Sequence, residues 1–237
     1  MRPIMSSVIS ACITSLLITG YPLAGTWWDN FNDGDLKGWE KIFDSCGKGI
    51  WWVKNGALEV TLILDPRILR AESILGLTAF PVEEERFRVS LDVLEIRDGG
   101  RISIGILLGK RFDWAPSVYS TSYKFGARSI FGPTVLPDRS PNFDLWRLHI
   151  QRIEVEFDGG HFRCTQSFLE GEKKITEFED GNFPIIDVIG LIAEGNELFH
   201  AVVDNFEISG PGIPDKQSFG VSPKDKLALL WGELRKR

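Results

Sequence analysis

The chain has 237 residues, a formal net charge of −6 at pH 7 and a pI near 5.2. Because 43% of the residues are hydrophobic and 25% are charged, a core can form, which excludes global disorder. The acidic balance argues against a nucleic-acid partner, since phosphate binding requires a positive field. Eight Trp and sixteen Phe against two Met favour strands over a helical bundle. Phosphate-loop, dinucleotide, HExxH and CxxC motifs are absent from the sequence.

Residues 1–25 have the order of a secretory signal. Arg2 is followed by an apolar stretch from Ile13 to Ile18 and then by the small residues Ala24 and Gly25. The sequence predicts a signal peptide over 1–25 and export to the extracellular space or the periplasm, with no transmembrane span in the mature chain. Two alternatives stay open. The segment could be an uncleaved anchor, or Cys12 could carry a lipid, because Ile9-Ser10-Ala11-Cys12 resembles a bacterial lipobox.

Alternation of apolar and polar residues with a period of two recurs from residue 50 to residue 209. Asn55-Gly56, between two alternating runs, predicts a hairpin with a two-residue turn. The alternation changes phase at Gln151-Arg152, which predicts a β-bulge or a tight bend. About a dozen short strands separated by turn signals predict one all-β domain over residues 26–210. We expect a two-sheet antiparallel jelly-roll sandwich.

Residues 211–237 differ from the rest of the chain. Pro and Gly interrupt the last strand, and Ser222-Pro223 then supplies a helix cap followed by proline at the first helical position. An apolar face predicts a short amphipathic C-terminal helix, formed by Leu227, Leu230, Trp231 and Leu234. The helix could dock on the sandwich, fray, or contact a membrane or a partner.

Two cysteines, Cys46 and Cys164, follow the leader. In an oxidising compartment such a pair tends to form a disulfide, and we predict that bond. The alternative is two separate thiols buried as small hydrophobic groups.

Two regions of the chain carry a family resemblance. Near the start of the mature chain stand Asp29-Asn30-Phe31-Asn32-Asp33-Gly34, Leu36-Lys37-Gly38-Trp39 and Trp51-Trp52-Val53-Lys54-Asn55-Gly56-Ala57-Leu58, and near the end stand Gly190-Leu191-Ile192-Ala193 and Val203-Asp204-Asn205-Phe206-Glu207-Ile208. The chain resembles the concanavalin A-like lectin/glucanase superfamily, in particular laminin-G-like and 3-keto-disaccharide-hydrolase-like secreted bacterial domains. The resemblance implies that residues 27–31 lie beside residues 201–208 and close the sandwich. Trp39 and Trp52 are then core or rim aromatics.

Three acidic residues, Glu154, Glu156 and Asp158, alternate along one strand and share a face. Glucanases of this superfamily use Glu-x-Asp-x-x-Glu or Glu-x-Asp-x-Glu as nucleophile, helper and acid/base, and the order Glu-x-Glu-x-Asp departs from both. Residues i and i+4 of a strand are about 13 Å apart, outside the about 5–5.5 Å of retaining and about 6.5–9.5 Å of inverting glycosidases, whereas the distance of about 6.6 Å between residues i and i+2 stays open. We therefore expect a charged, solvated face and assign no catalytic residue.

The resemblance also implies a structural Ca²⁺, because related sugar-binding sandwiches hold one between the first and last strands. The corresponding oxygen ligands here are Asn32, Asp33 and Asp204. Asn32 replaces the usual acidic residue, and ordinary turn chemistry is the alternative. The histidines His149, His161 and His200 lack ligand spacing and are interpreted as surface or capping residues.

An aromatic segment with poor alternation offers a sugar-binding surface. Trp114, Tyr119 and Tyr123, with Arg128 nearby, combine flat apolar rings with polar groups, and Lys124 could also bind hydroxyls. The alternative is that the same rings cap the edge of the sandwich.

These observations favour a secreted, non-catalytic carbohydrate-recognition domain whose partner is a glycan or polysaccharide. A glycoside hydrolase or 3-keto-glycoside hydrolase and a structural or adhesive module remain as alternatives. Two carboxylates facing each other in a groove would favour the enzyme, and a flat aromatic platform would favour the binding protein.

Overall fold

The structure is a computed structural model that describes residues 24–64, 67, 71–97, 102–110, 122–127, 130–131, 150–196 and 198–215. These residues form strands and turns, and none of them is helical. The strands are β1 (Gly25–Asp29), β2 (Trp39–Ser45), β3 (Gly47–Lys54), β4 (Ala57–Leu64), β5 (Ala71–Leu77), β6 (Arg86–Arg97), β7 (Ile102–Gly109), β8 (Ser122–Gly126), β9 (Ile130–Phe131), β10 (Ile150–Asp158), β11 (His161–Phe168), β12 (Lys173–Glu179), β13 (Val188–Gly195) and β14 (Phe199–Gly210).

The strands form two antiparallel sheets that pack as a sandwich. The eight-stranded sheet has the order β12-β11-β10-β6-β14-β4-β3, with β1 also paired to β14. The six-stranded sheet has the order β2-β5-β13-β7-β8-β9. Both the all-β class and the arrangement in two antiparallel sheets are confirmed. Bulky side chains such as Leu58, Leu91, Ile106 and Leu191 fill the space between the sheets.

Local sequence signals account for two details of the larger sheet. Asn55 and Gly56 both have positive φ (54° and 76°), as a two-residue hairpin turn requires, and they connect β3 to β4. The register between β10 and β11 shifts between Ile150 and Arg152, where the alternation changes phase. The predicted hairpin and the predicted bulge are both confirmed.

The first and last strands close the sandwich. β1 pairs antiparallel with β14, from Gly25 opposite Gly210 to Asp29 opposite Phe206, as the resemblance implied. Trp27 and Trp39 pack edge-on against Phe206 in the core, with ring centroids 6.0 and 4.9 Å away. The strand pairing begins at Gly25, one residue before the predicted domain start.

The buried carboxylate of Asp29 fixes the turn that follows β1. Its Oδ1 accepts a hydrogen bond from the Phe31 amide at 2.7 Å, and its Oδ2 accepts one from Trp39 Nε1 at 2.9 Å. Burial raises the pKa of Asp29, although these two hydrogen bonds oppose the shift.

The predicted disulfide is wrong, because Cys46 and Cys164 are both free. Cys46 is exposed and directly precedes the edge strand β3, whereas Cys164 is buried on β11. Four strands separate β3 from β11 in the sheet, and a spacing of about 4.8 Å per strand puts them roughly 24 Å apart. A disulfide needs Cα atoms within about 7 Å. Burial raises the pKa of the Cys164 thiol to about 12.

Two predicted segments fall almost wholly outside the described residues. These are the signal peptide, except for Ala24 and Gly25, and the helical part of the C-terminal tail. Within the described part of the chain, no helix has the length and apolar character needed to cross a bilayer.

Candidate functional site

The predicted aromatic surface is only partly described by the structure. Trp114, Tyr119 and Arg128 lie outside the described residues. Tyr123 lies in the core, with its ring centroid 4.6 Å from that of Phe162, and its hydroxyl donates to Asp180 Oδ2 at 2.6 Å. A ring that is fully buried offers no face to a sugar, so Tyr123 cannot be part of the predicted stacking surface.

Lys124, the neighbour of Tyr123 on β8, belongs to a buried ionic cluster on the opposite face of that strand. Its Nζ lies 2.9 Å from Glu72 Oε1 and 3.4 Å from Glu194 Oε2. The two glutamates are cross-strand partners on β5 and β13, and the three side chains are only 4%, 3% and 9% exposed. Glu72 and Glu194 share the alternation of Ile74 and Ile192, so the cluster is on the outward face of the six-stranded sheet.

The acidic residues of β10 form a lattice of ion pairs on the larger sheet. Glu154 pairs with Arg88, Glu156 with Arg163, and Asp158 with Arg86. Each arginine comes from a strand adjacent to β10. This is the charged, solvated face that the alternation predicted.

The predicted calcium ligands make turn contacts. Asn32 lies against the hairpin turn, where its Oδ1 occupies the space that a Cβ at Gly56 would need. Asp33 accepts a hydrogen bond from the Asp35 amide, and Asp204 accepts one from the Asn205 amide. Among the residues that the structure describes, no group of three His, Cys, Asp or Glu side chains could hold a metal. Calcium binding stays a prediction.

An aromatic platform stands on the outward face of the eight-stranded sheet. We define the Trp52 surface as Ile50 and Trp52 on β3, Glu59 and Thr61 on β4, and His200 on β14. Trp52 is directly opposite Glu59, and Thr61 lies between Ile50 and His200 in the register. Trp52 is half-buried and Ile50 is 39% exposed.

Alternation along β3 directs Trp52 outward and its neighbour Trp51 inward. The Trp51 Nε1 donates to Ser73 Oγ of the other sheet at 2.8 Å, and Trp51 packs against the core. Because consecutive side chains of a strand point to opposite faces, Trp52 must leave the core when Trp51 enters it.

His200 supports one side of the Trp52 ring. The ring centroids are 5.8 Å apart with an interplanar angle of 34°. His200 Nδ1 lies 3.3 Å from Thr61 Oγ1, and its Nε2 lies 3.6 Å from Glu59 Oε2. Both ring nitrogens therefore face a polar group on β4, which fixes the orientation of the imidazole.

The Trp52 surface combines the two kinds of contact that sugar recognition uses. An indole ring offers a flat apolar face to C–H groups, and the Glu59 carboxylate and Thr61 hydroxyl beside it can hydrogen-bond to sugar hydroxyls. The sequence interpretation placed Trp52 in the core or at the rim and left His200 on the surface. The available signal in the sequence was the spacing Lys48-x-Ile50-x-Trp52-x-Lys54. Residues two apart share one face of a strand, so Trp52 lies on the same face as the two lysines.

Solved structures with a similar fold include lectins and a bacterial protein with a galectin-like fold. The Griffonia simplicifolia lectin I-B4 in its metal-free form aligns with a TM-score of 0.51 and 11% identity, over 79% of this chain and 99% of that chain. The Bauhinia forficata lectin in complex with GalNAc has a TM-score of 0.50 and 9% identity, over 78% and 97%. A Bacillus subtilis protein of unknown function with a galectin-like fold has a TM-score of 0.50 and 12% identity, over 76% and 93%.

These comparisons identify the fold of the chain. No family model and no curated protein matches the sequence. At such low identity the structural likeness concerns the fold alone, and that fold is the concanavalin A-like lectin β-sandwich.

Proposed function

We propose that this chain, which has the concanavalin A-like lectin fold, is a carbohydrate-recognition domain that binds a glycan at the Trp52 surface without chemistry of its own. The observation that carries the proposal is the outward-facing Trp52 ring, supported by His200 and bordered by Glu59 and Thr61. Lectins among the structural neighbours are consistent with the same class of ligand.

The energetics of such a surface suit a sugar. Stacking on an aromatic ring is worth roughly 1–3 kcal/mol for a flat ligand such as a nucleic-acid base, and we take the same range for a pyranose ring. The imidazole is already fixed by contacts on both nitrogens, so little side-chain entropy is lost when a hydroxyl binds beside it.

The ionic cluster supports a binding function over hydrolysis. Glu72 and Glu194 are the carboxylates that face each other on the outward side of the six-stranded sheet, within the described residues. A glycosidase needs the glycosidic bond between its two carboxyl groups. Here the Lys124 ammonium occupies that space, and all three side chains are buried.

Export completes the proposal. The leader over residues 1–25 would deliver the domain to the extracellular space or the periplasm, where polysaccharides are the available partners. Bound Ca²⁺ at Asn32, Asp33 and Asp204 is part of the proposal only as a structural ion.

A glycan array compared with two tryptophan variants tests the proposal. Trp52→Ala should weaken binding by roughly 1–3 kcal/mol, about 5-fold to 150-fold, with little change in the unfolding midpoint. Trp28→Ala is the matched control, because Trp28 on β1 is also half-buried on the outward face of the same sheet, opposite Glu207 of β14. Unchanged binding in Trp52→Ala, or loss of binding only in Trp28→Ala, would refute the assignment. Release of sugar from bound glycans would favour the hydrolase.

A further inference from the structure

The outward face of β3 carries two lysines in addition to the Trp52 surface. Lys48, Ile50, Trp52 and Lys54 alternate along the strand, and both lysines are exposed. The rise of about 3.3 Å per residue places Lys48 and Lys54 about 20 Å apart, with Trp52 between them. β3 is the last strand in the order of its sheet, so a long ligand can lie along it.

The two lysines carry unneutralised charge. Their cross-strand partners are Ile63 and Ala57, which have no charge. In the described part of the chain neither lysine forms an ion pair, although other cations of this sheet do: Arg88 pairs with Glu154 and Arg152 with Asp92.

β3 itself has two lysines and no acidic side chain. Among the outward-facing carboxylates of this sheet, Glu95 pairs with Arg97, and Glu59 lies 3.6 Å from His200 Nε2. The edge strand is therefore locally positive on a chain whose net charge is −6. Lysines on edge strands also prevent sheet-to-sheet association, which would explain them without a ligand.

We infer that the glycan bound at the Trp52 surface is anionic, and this inference rests on the proposed function. One sugar ring stacks on Trp52, and acidic groups on sugars to either side lie near Lys48 and Lys54. The net negative charge of the chain repels a polyanion at long range. The attraction of the two lysines for acidic sugars therefore acts only when the ligand is already close to β3.

Calorimetry with matched ligands tests the inference on the full chain. Oligogalacturonate and its methyl ester have the same rings and differ in charge, and a dextran oligosaccharide and its sulfated form make a second pair. We expect about tenfold tighter binding of the charged member in at least one pair, since each exposed ion pair contributes up to about fivefold. The pair that responds distinguishes carboxylate from sulfate.

Lysine variants assign that preference to β3. Lys48→Gln with Lys54→Gln should reduce the preference to less than twofold, whereas Lys48→Arg with Lys54→Arg should retain it. Lys173→Gln is the matched control, because Lys173 is exposed on β12, the opposite edge of the same sheet. If the double glutamine variant aggregates, the two single variants should each remove about half of the preference on a logarithmic scale.

Two outcomes would overturn the inference. One is equal affinity for the charged and neutral members of both pairs, and the other is a preference that persists without the two lysines. Neither outcome affects the proposed function, which fails instead if Trp52→Ala leaves the binding of neutral glycans unchanged.

Discussion

Replacing Lys124 with Met tests whether the ionic cluster is as buried as its geometry indicates. The substitution removes an ammonium that lies 2.9 and 3.4 Å from two carboxylate oxygens, and leaves Glu72 opposite Glu194 on neighbouring strands. With side chains at most 9% exposed, water can solvate these charges only poorly. Removing one partner of a buried pair costs about 3–5 kcal/mol, and we expect a loss of that size in the free energy of unfolding.

Urea denaturation at pH 7 measures the effect, with linear extrapolation to zero denaturant. Lys41→Met is the matched control, since Lys41 pairs with Asp44 at 2.8 Å but is 42% exposed, and it should cost less than about 1 kcal/mol. A variant that also carries Glu72→Gln and Glu194→Gln should regain most of the lost stability, because it removes all three charges of the cluster together. A cost below about 1 kcal/mol for Lys124→Met alone would refute the reasoning.

Two further predictions concern titratable groups. At pH 8 a thiol reagent should modify Cys46 and leave Cys164 unmodified in the folded protein, because burial raises the pKa of Cys164 to about 12. Mass spectrometry of the alkylated chain measures this, and equal reaction of the two thiols would contradict the prediction. Burial raises the pKa of Asp29, so the protonated carboxyl stabilises the folded state fully at pH values below the ordinary pKa of 3.8. This contribution to the free energy of unfolding is lost as the pH rises through the pKa of the folded state. An NMR titration of its side-chain carbon should therefore have a midpoint above 3.8, and a midpoint at or below that value would contradict the assignment.

Local sequence signals predicted those parts of the fold that depend on few residues. Asn55 and Gly56 can both adopt positive φ, so their turn could be predicted without knowledge of the rest of the chain. The bulge near Arg152 followed from a change of phase within one strand. The pairing of β1 with β14 joins residues that are far apart in the sequence, such as Gly25 and Gly210, and it came from the family resemblance.

The candidate site was harder to predict, because it depends on which face of each strand meets the core. Tyr123 and Lys124 belong to a short alternating run on β8, but the longer segment around that run alternates poorly, so the sequence resembled a loop. Glu72 and Glu194 meet Lys124 only through three strand pairings. Trp51 and Trp52 could each have faced the core, and the contact between Trp51 and Ser73 decides between them.

The pairing of β1 with β14 also determines how the domain responds to mechanical force. Gly25 lies opposite Gly210, so the two ends of the sandwich leave it side by side. A force that pulls these two ends apart acts across the strands and loads one pair of backbone hydrogen bonds at a time. A force along the strands would load all of these hydrogen bonds together. The domain therefore resists force least when it is pulled at these two ends. The Trp52 surface lies beyond the end of β1, beside the part of β14 that pairs with β4. This surface would remain folded until β1 had separated from β14.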